Sequence, residues 1–473
     1  MNDASLCFQS AVELTRMIRG KEVSAREVME AHLARIEKVN PKVNAIVTMD
    51  AEGALEGADA ADTALANGES LGILHGLPMG VKDLRPTKGM RTTYGSPLYA
   101  DHVPAADAII VERERAAGAI IVGKTNTPEF GAGSQTFNTV FGATRNPYDL
   151  GMTCGGSSGG SAVALACNML PLADGSDSGG SLRNPAAFCN VVGFRTSPGR
   201  VPVWPGNLGW WTISVLGPMA RNVSDAALFL AAIAGPDARA PISIEEPGER
   251  FLEPLQREFK GVRVAFSRDL GILPVEPEVA EVCESGRKVL EALGCVVDDG
   301  HPDMHDADEI FQVLRAWQFS LEHGERLAKH RDQLKDTIIW NTETGLALDG
   351  PTVAKAEAAR TAFYHRVREF LEDYEYLVLP VNPVAPFPVD QPYVTEINGQ
   401  QMATYIDWLM FCYAITITGL PAISVPCGFT PQGLPVGLQI VGRHNRDFEV
   451  LQLAKAFEEA TDHGRNRPNL AEG

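Results

Sequence analysis

The chain has 473 residues, 45 % hydrophobic and 21 % charged, a profile that excludes a disordered polypeptide and supplies a core without disulfide or metal staples. Lysine and arginine number 41 against 60 aspartates and glutamates, a net charge of −19 with no basic cluster. That balance argues against a nucleic-acid binder, which needs a basic face, and against a polybasic membrane anchor.

The N-terminal stretch reads as helical. Ser10-x-x-Glu13 and Ser24-x-x-Glu27 are capping boxes, each opening an amphipathic run, and Ala-rich Ala51 to Asn67 reads as a third helix. No long apolar run interrupts Met1 to Lys21, so no signal peptide is expected. Apolar Leu77 to Leu84 reads as a short strand carrying Lys82 and Asp83. Asp107 to Ala117 reads as a helix stopped by Gly118, and Ala119 to Val122 as a buried strand. Gly-, Ser- and Asn-rich residues then run to Gly160, followed by a small-residue helix, Ser161 to Cys167.

Beyond a Pro- and acid-rich excursion, Gly235 to Pro254, the pattern predicts a strand at Val262 to Phe266, a helix at Val279 to Leu293 and a strand at Cys295 to Val297. Ile310 to Tyr374 reads as mostly helical, and Tyr376 to Pro380 as a strand. Trp408 to Gly442 carries no charge, but four prolines and four internal glycines break it, which fits buried strands and turns rather than a membrane span. Alternating helices and apolar strands predict an α/β fold: a single large domain, 1–473, with a central mixed, mostly buried sheet flanked by helices. Its parts are a helical stretch at 1–70, a core at 71–235, a largely helical excursion at 236–404 and a return to the core at 405–473. Eight scattered cysteines without a CxxC pair predict a reduced, cytoplasmic protein.

Three motif matches fail on context. Gly118 to Thr125 spells a P-loop, but its middle residues, Ala-Ile-Ile-Val, are themselves a strand. Gly156-Ser157-Ser158-Gly159-Gly160 spells a nucleophile elbow, but a polar loop precedes it where a strand is required. His301 to Asp308 mixes histidine and acid in a polar segment, read as a solvated loop rather than a metal site.

A combination carries more weight. Lys82 lies in an apolar segment, Ser157 follows in Cys154-Gly-Gly-Ser157-Ser158-Gly-Gly-Ser161, and Ser181 closes Gly175-Ser-Asp177-Ser178-Gly179-Gly180-Ser181-Leu-Arg183. A lysine taken out of water loses its proton readily and becomes a base, which a serine hydroxyl needs in order to act as a nucleophile. Gly-rich turns leave backbone N–H groups free to face an oxyanion.

In these three segments the sequence resembles the amidase signature family, in order and at the family's spacing. Further echoes include Gly123 to Gly131, Gly217-Pro-Met-Ala-Arg221 and Gly419 to Ile423. The resemblance implies Ser181 as the acylated nucleophile, Ser157 as a relaying serine behind a cis peptide bond and Lys82 as the base. It implies an oxyanion hole from the N–H groups of Ser178, Gly179, Gly180 and Ser181, with Asp177 and Arg183 bracing that turn. It implies hydrolysis of a carboxamide C–N bond through a seryl acyl-enzyme, with no metal and no cofactor. Esters and carbamates (urethanes) are open to the same chemistry. The expected partner is a small-molecule amide, with neither nucleic acid nor membrane, and the expected assembly is a monomer or homodimer. Cys154, Asn190 and Phe194 to Ser197 depart from the family's usual wording, and Cys154 is expected to pack rather than react.

Phe130, Phe137, Trp204, Trp210 and Trp211 flank the motifs and are candidates to line the pocket, which favours aryl or bulky aliphatic amides. Two competing readings share these motifs. One is the A subunit of a glutamyl-tRNA amidotransferase, which works in a complex, and the other is an inactive binding protein.

Overall fold

The computed structural model describes residues 3–69 and 71–472; Met1, Asn2 and Ser70 of the predicted N-terminal part, and Gly473, lie outside them. Both capping serines work. Ser10 accepts the Glu13 N–H at 3.0 Å and opens helix Ala11–Arg19, but the Glu13 carboxylate turns to Arg16 at 2.7 Å, so only half of that box forms. At Ser24 the box closes in both directions and opens Ala25–Val43. The third helix spans Ala51–Asn67, as its composition predicts.

These helices cover a mixed sheet of eleven strands among the described residues. In chain order the strands are β1 (Ile46–Met49), β2 (Pro78–Lys82), β3 (Ile120–Thr125), β4 (Leu172–Asp177), β5 (Val192–Arg195) and β6 (Val215–Ala220). Then come β7 (Arg263–Phe266), β8 (Val296–Asp299), β9 (Tyr376–Pro380), β10 (Ala422–Phe429) and β11 (Pro435–Val441). Across the sheet they run β1-β3-β2-β4-β6-β5-β10-β11-β9-β7-β8. β2, β5 and β11 are buried along their whole length, as strands covered on both faces are.

β2 lies parallel to both β3 and β4, with Gly80 opposite Ala173. The C-terminal ends of β2 and β4 therefore lie side by side, one carrying Lys82 and the other Asp177. Such strand ends are where α/β sheets place their chemistry.

Residues 236–404 do more than make a helical excursion, since β7, β8 and β9 extend the sheet at one edge. Their helices are Pro277–Ala292, Ala307–His330, Asp336–Leu346 and Gly350–Asp373. The uncharged stretch after Trp408 is not all strand, for Met410–Thr418 is a helix whose residues from Phe411 onward are all buried. β10 and β11 follow, and the register shift between Pro426 and Gly428 explains a proline inside a central strand. Among the described residues, no helix is long and apolar enough to cross a membrane.

Candidate active site

Lys82 ends β2 fully buried, and among the described residues no carboxylate lies within ion-pairing distance of it. Its Nζ lies 2.8 Å from Ser157 Oγ, 2.8 Å from Ser158 Oγ and 3.1 Å from Ser176 Oγ. Burial, then the neighbouring Arg85 guanidinium, hold the Lys82 ammonium well below its ordinary range, although Asp174 and Asp177 pull the other way. A neutral amine offers two N–H groups and one lone pair. One of the three hydroxyls can therefore donate its proton to the lysine.

The backbone fixes this lysine from two sides. Its N–H donates to Asp174 on β4, and the turn after it is tied by Asp83, which accepts the Thr93 N–H at 3.1 Å. Lys124 of the P-loop lookalike is strand-borne on β3 and holds the same turn. Its Nζ donates to the Arg85 carbonyl at 2.6 Å and to Thr87 Oγ1 at 2.7 Å.

The polar loop before helix Gly159–Ala166 delivers Ser157 and Ser158, and the Gly156–Ser157 peptide bond is cis. The two serines are equally close to Lys82 but differ in access. Ser157, Ser176 and Ser181 line one cavity of about 490 Å³, and Ser158 does not. Cys154 is buried, and burial pushes its thiol up to about 12, as packing without reactivity requires.

After β4 the chain turns through Ser178 to Leu182 around the Asp177 carboxylate. Arg183 donates to it at 2.9 and 3.0 Å, and Arg195 at 3.1 Å. All three side chains are fully buried. Burial alone would raise this carboxyl, but the two guanidiniums hold it well below the usual carboxylate range. Asp177 also takes the N–H groups of Gly180 at 2.9 Å and Leu182 at 3.2 Å. The Gly180 N–H thus points into the brace rather than toward an oxyanion, a correction to the expected set of four. Among the described residues, the N–H groups of Ser178, Gly179 and Ser181 have no protein partner. Gly180 itself has φ +116°, and a Cβ there would meet Cys412 at 2.6 Å, so no other residue fits the turn.

The flanking aromatics divide. Phe130, Trp204 and Trp211 line the cavity, and Phe130 packs 4.8 Å from the His323 ring. Phe137 and Trp210 do not line it. Phe137 lies under the Lys335 ammonium, 4.3 Å from its ring centroid, and Trp210 is 76 % exposed. The sequence motifs do not single out Ser176, Arg195 or Arg85. Strand alternation points to Ser176, because Asp174 and Ser176 are two apart on β4 and both face Lys82. The His301–His305 segment is a surface loop, with exposed His305 bonded to Asp303 at 2.9 Å.

A family model described as Amidase matches residues 27–451. The chain is 37 % identical over 466 residues to an acylamidase of Rhodococcus erythropolis, covering 97 % of this chain and 96 % of that one. It is also 37 % identical over 493 residues to the A subunit of the glutamyl-tRNA(Gln) amidotransferase of Moorella thermoacetica, covering 98 % and 99 %. The crystal structure of a bacterial aryl acylamidase of the amidase signature family is similar at a TM-score of 0.91, with 28 % identity and coverage of 97 % and 99 %. A match of that extent, on a chain that brings Lys82, Ser157 and the Ser181 turn together, establishes that it belongs to the amidase signature family and is an amidohydrolase.

Proposed function

We propose that this amidase cleaves aryl or apolar carboxamides through an acyl-enzyme on Ser181, with Ser157 relaying protons to and from Lys82. One observation carries the reading. A fully buried lysine whose side-chain partners among the described residues are all hydroxyls touches Ser157, which shares a cavity with Ser181.

Ser181 Oγ attacks the amide carbonyl carbon while its proton passes to Ser157 Oγ, and the Ser157 proton passes to Lys82 Nζ. The oxyanion forms against the N–H groups of Ser178, Gly179 and Ser181, and Asp177 with its two arginines keeps that turn rigid. The C–N bond then breaks. The leaving nitrogen takes the proton back from Lys82 through Ser157, because an amide anion is too basic to depart alone. Water repeats the sequence at the ester and frees the acid. Esters and carbamates present the same carbonyl.

Apolar walls from Phe130, Trp204, Trp211 and Val201 support the substrate preference. Eight buried, unpaired cysteines support a reducing, cytoplasmic setting. The amidotransferase reading has a relative of equal identity behind it, and it requires a partner for activity. The test is hydrolysis of 4-nitroacetanilide by the protein alone, with acid quench and peptide mass spectrometry. Release of 4-nitroaniline and an acetyl group on Ser181 are expected. Inactivity toward aryl and alkyl amides until a partner protein is added overturns the reading in favour of the complex.

A further inference from the structure

Arg85 lines the cavity from the turn directly after Lys82. Its backbone is pinned at both ends, with the N–H donating to the Lys82 carbonyl at 3.0 Å and the carbonyl accepting from Lys124 at 2.6 Å. Its guanidinium is different from every neighbour. Among the described residues it makes no hydrogen bond and no ion pair, and its Nε is buried without an acceptor.

The other guanidiniums near the cavity are occupied. Arg326 gives its Nε to Tyr99 Oη at 3.2 Å and its Nη1 to His323 Nδ1 at 3.3 Å and to the Glu322 carbonyl. Arg315 donates to Asn341 at 2.8 Å and to Tyr405 Oη at 2.7 Å. Among the described residues the one carboxylate lining the cavity, Glu322, is held by Gln318 at 3.1 Å and lies beyond 4 Å of both Arg85 and Arg326. A half-buried cation with a buried, acceptorless Nε costs free energy until an acceptor arrives, and a planar guanidinium matches a carboxylate with two parallel hydrogen bonds.

We infer that Arg85 is an anion-binding subsite of the catalytic cavity, and that the preferred substrates are amides carrying a carboxylate away from the bond that breaks. The inference rests on the acyl-transfer reading of the same cavity. It narrows that reading from apolar amides to those with an apolar body and an acidic end.

The test measures binding to the Ser181→Ala protein by calorimetry, using two matched pairs. One pair places the carboxylate on the acyl side: glutaryl-4-nitroanilide against pentanoyl-4-nitroanilide. The other places it on the amine side: 4-acetamidobenzoate against 4-methylacetanilide. The acid of at least one pair is expected to bind about 10- to 100-fold more tightly than its neutral partner. Arg85→Met should erase that ratio. Arg85→Lys, which keeps the charge without the fork, should keep part of it. The neutral member reports in each variant that the cavity is still formed. Equal binding of acid and neutral members in both pairs overturns the subsite, as does an acid preference that survives Arg85→Met. Turnover of the same amides by the unsubstituted enzyme is read separately. Turnover without an acid preference removes the subsite and leaves the amidase reading standing. An acid preference without turnover of any amide keeps the subsite and removes the acyl-transfer reading.

Discussion

Two groups of buried charge sit side by side at the ends of β2 and β4, and they are built in opposite ways. Around Asp177, two guanidiniums and two backbone N–H groups satisfy one carboxylate, and all three side chains stay ionised inside the protein. Around Lys82 the side-chain partners are hydroxyls, at 2.8 to 3.1 Å, and no opposite charge among the described residues lies within pairing distance. Equal burial thus gives a rigid brace in one place and a lysine whose ammonium is disfavoured in the other. In the proposed relay, the missing counter-ion is what suits Lys82 to act as the base. A carboxylate beside Lys82 would favour its ammonium and work against the proposed role as base.

The largest effects should come from breaking the Lys82 cluster. Lys82→Ala, Ser157→Ala and Ser181→Ala should each lower kcat/KM on 4-nitroacetanilide by about 10,000-fold or more, because the proposed relay uses the three as one unit. Ser158→Ala should be far milder, since Ser158 touches the lysine equally closely but does not line the cavity. Comparable losses at Ser158 and Ser157 would put the relay on the wrong serine.

Breaking the brace should read out as stability. Asp177→Asn strands two buried guanidiniums and should cost about 3–5 kcal/mol in denaturant unfolding. Lys82→Met should cost at most about 2 kcal/mol, since it removes hydrogen bonds but no ion pair. A Lys82→Met protein as unstable as Asp177→Asn would erase the contrast.

The comparison sharpens with pH. The proposed relay requires neutral Lys82, so kcat/KM should fall on the acidic side as the amine takes up a proton. Burial and Arg85 place that limb well below the ordinary lysine value of 10.5. Arg85→Met removes a neighbouring positive charge, eases protonation of Lys82 and should move the limb to higher pH. A limb that stays in place or moves down would show that Arg85 does not act on the base. The smallest effect belongs to Trp210→Ala. This side chain is 76 % exposed and outside the cavity lining, so KM should stay within about twofold of the unsubstituted enzyme.

Much of this is legible in the chain itself, for identifiable reasons. The Ala51–Asn67 helix and the Tyr376–Pro380 strand match their predicted bounds because local pattern alone decides them. Lys82, Ser157 and Ser181 stand out because glycine-rich turns leave a dense local signature. The pocket does not, because lining depends on how distant elements pack. Phe130 and Trp204 face the cavity while Phe137 and Trp210, equally close to the motifs in sequence, do not. Arg195 reads from sequence only as a departure from the family's wording, yet it is the second arm of the Asp177 brace. Asn190 departs where the family usually has glycine, and its φ of +54° shows why asparagine serves, being at ease in the left-handed region. The Arg85 guanidinium has no sequence signature, since a missing partner becomes visible only when every neighbour is placed.

The most direct test of the central claim is active-site labelling with a small fluorophosphonate, mapped by peptide mass spectrometry in the unsubstituted protein and in Lys82→Ala. The account predicts an adduct on Ser181 that forms readily with Lys82 present and is nearly lost without it. An adduct on Ser158, or labelling of Ser181 at the same rate in Lys82→Ala, would contradict it.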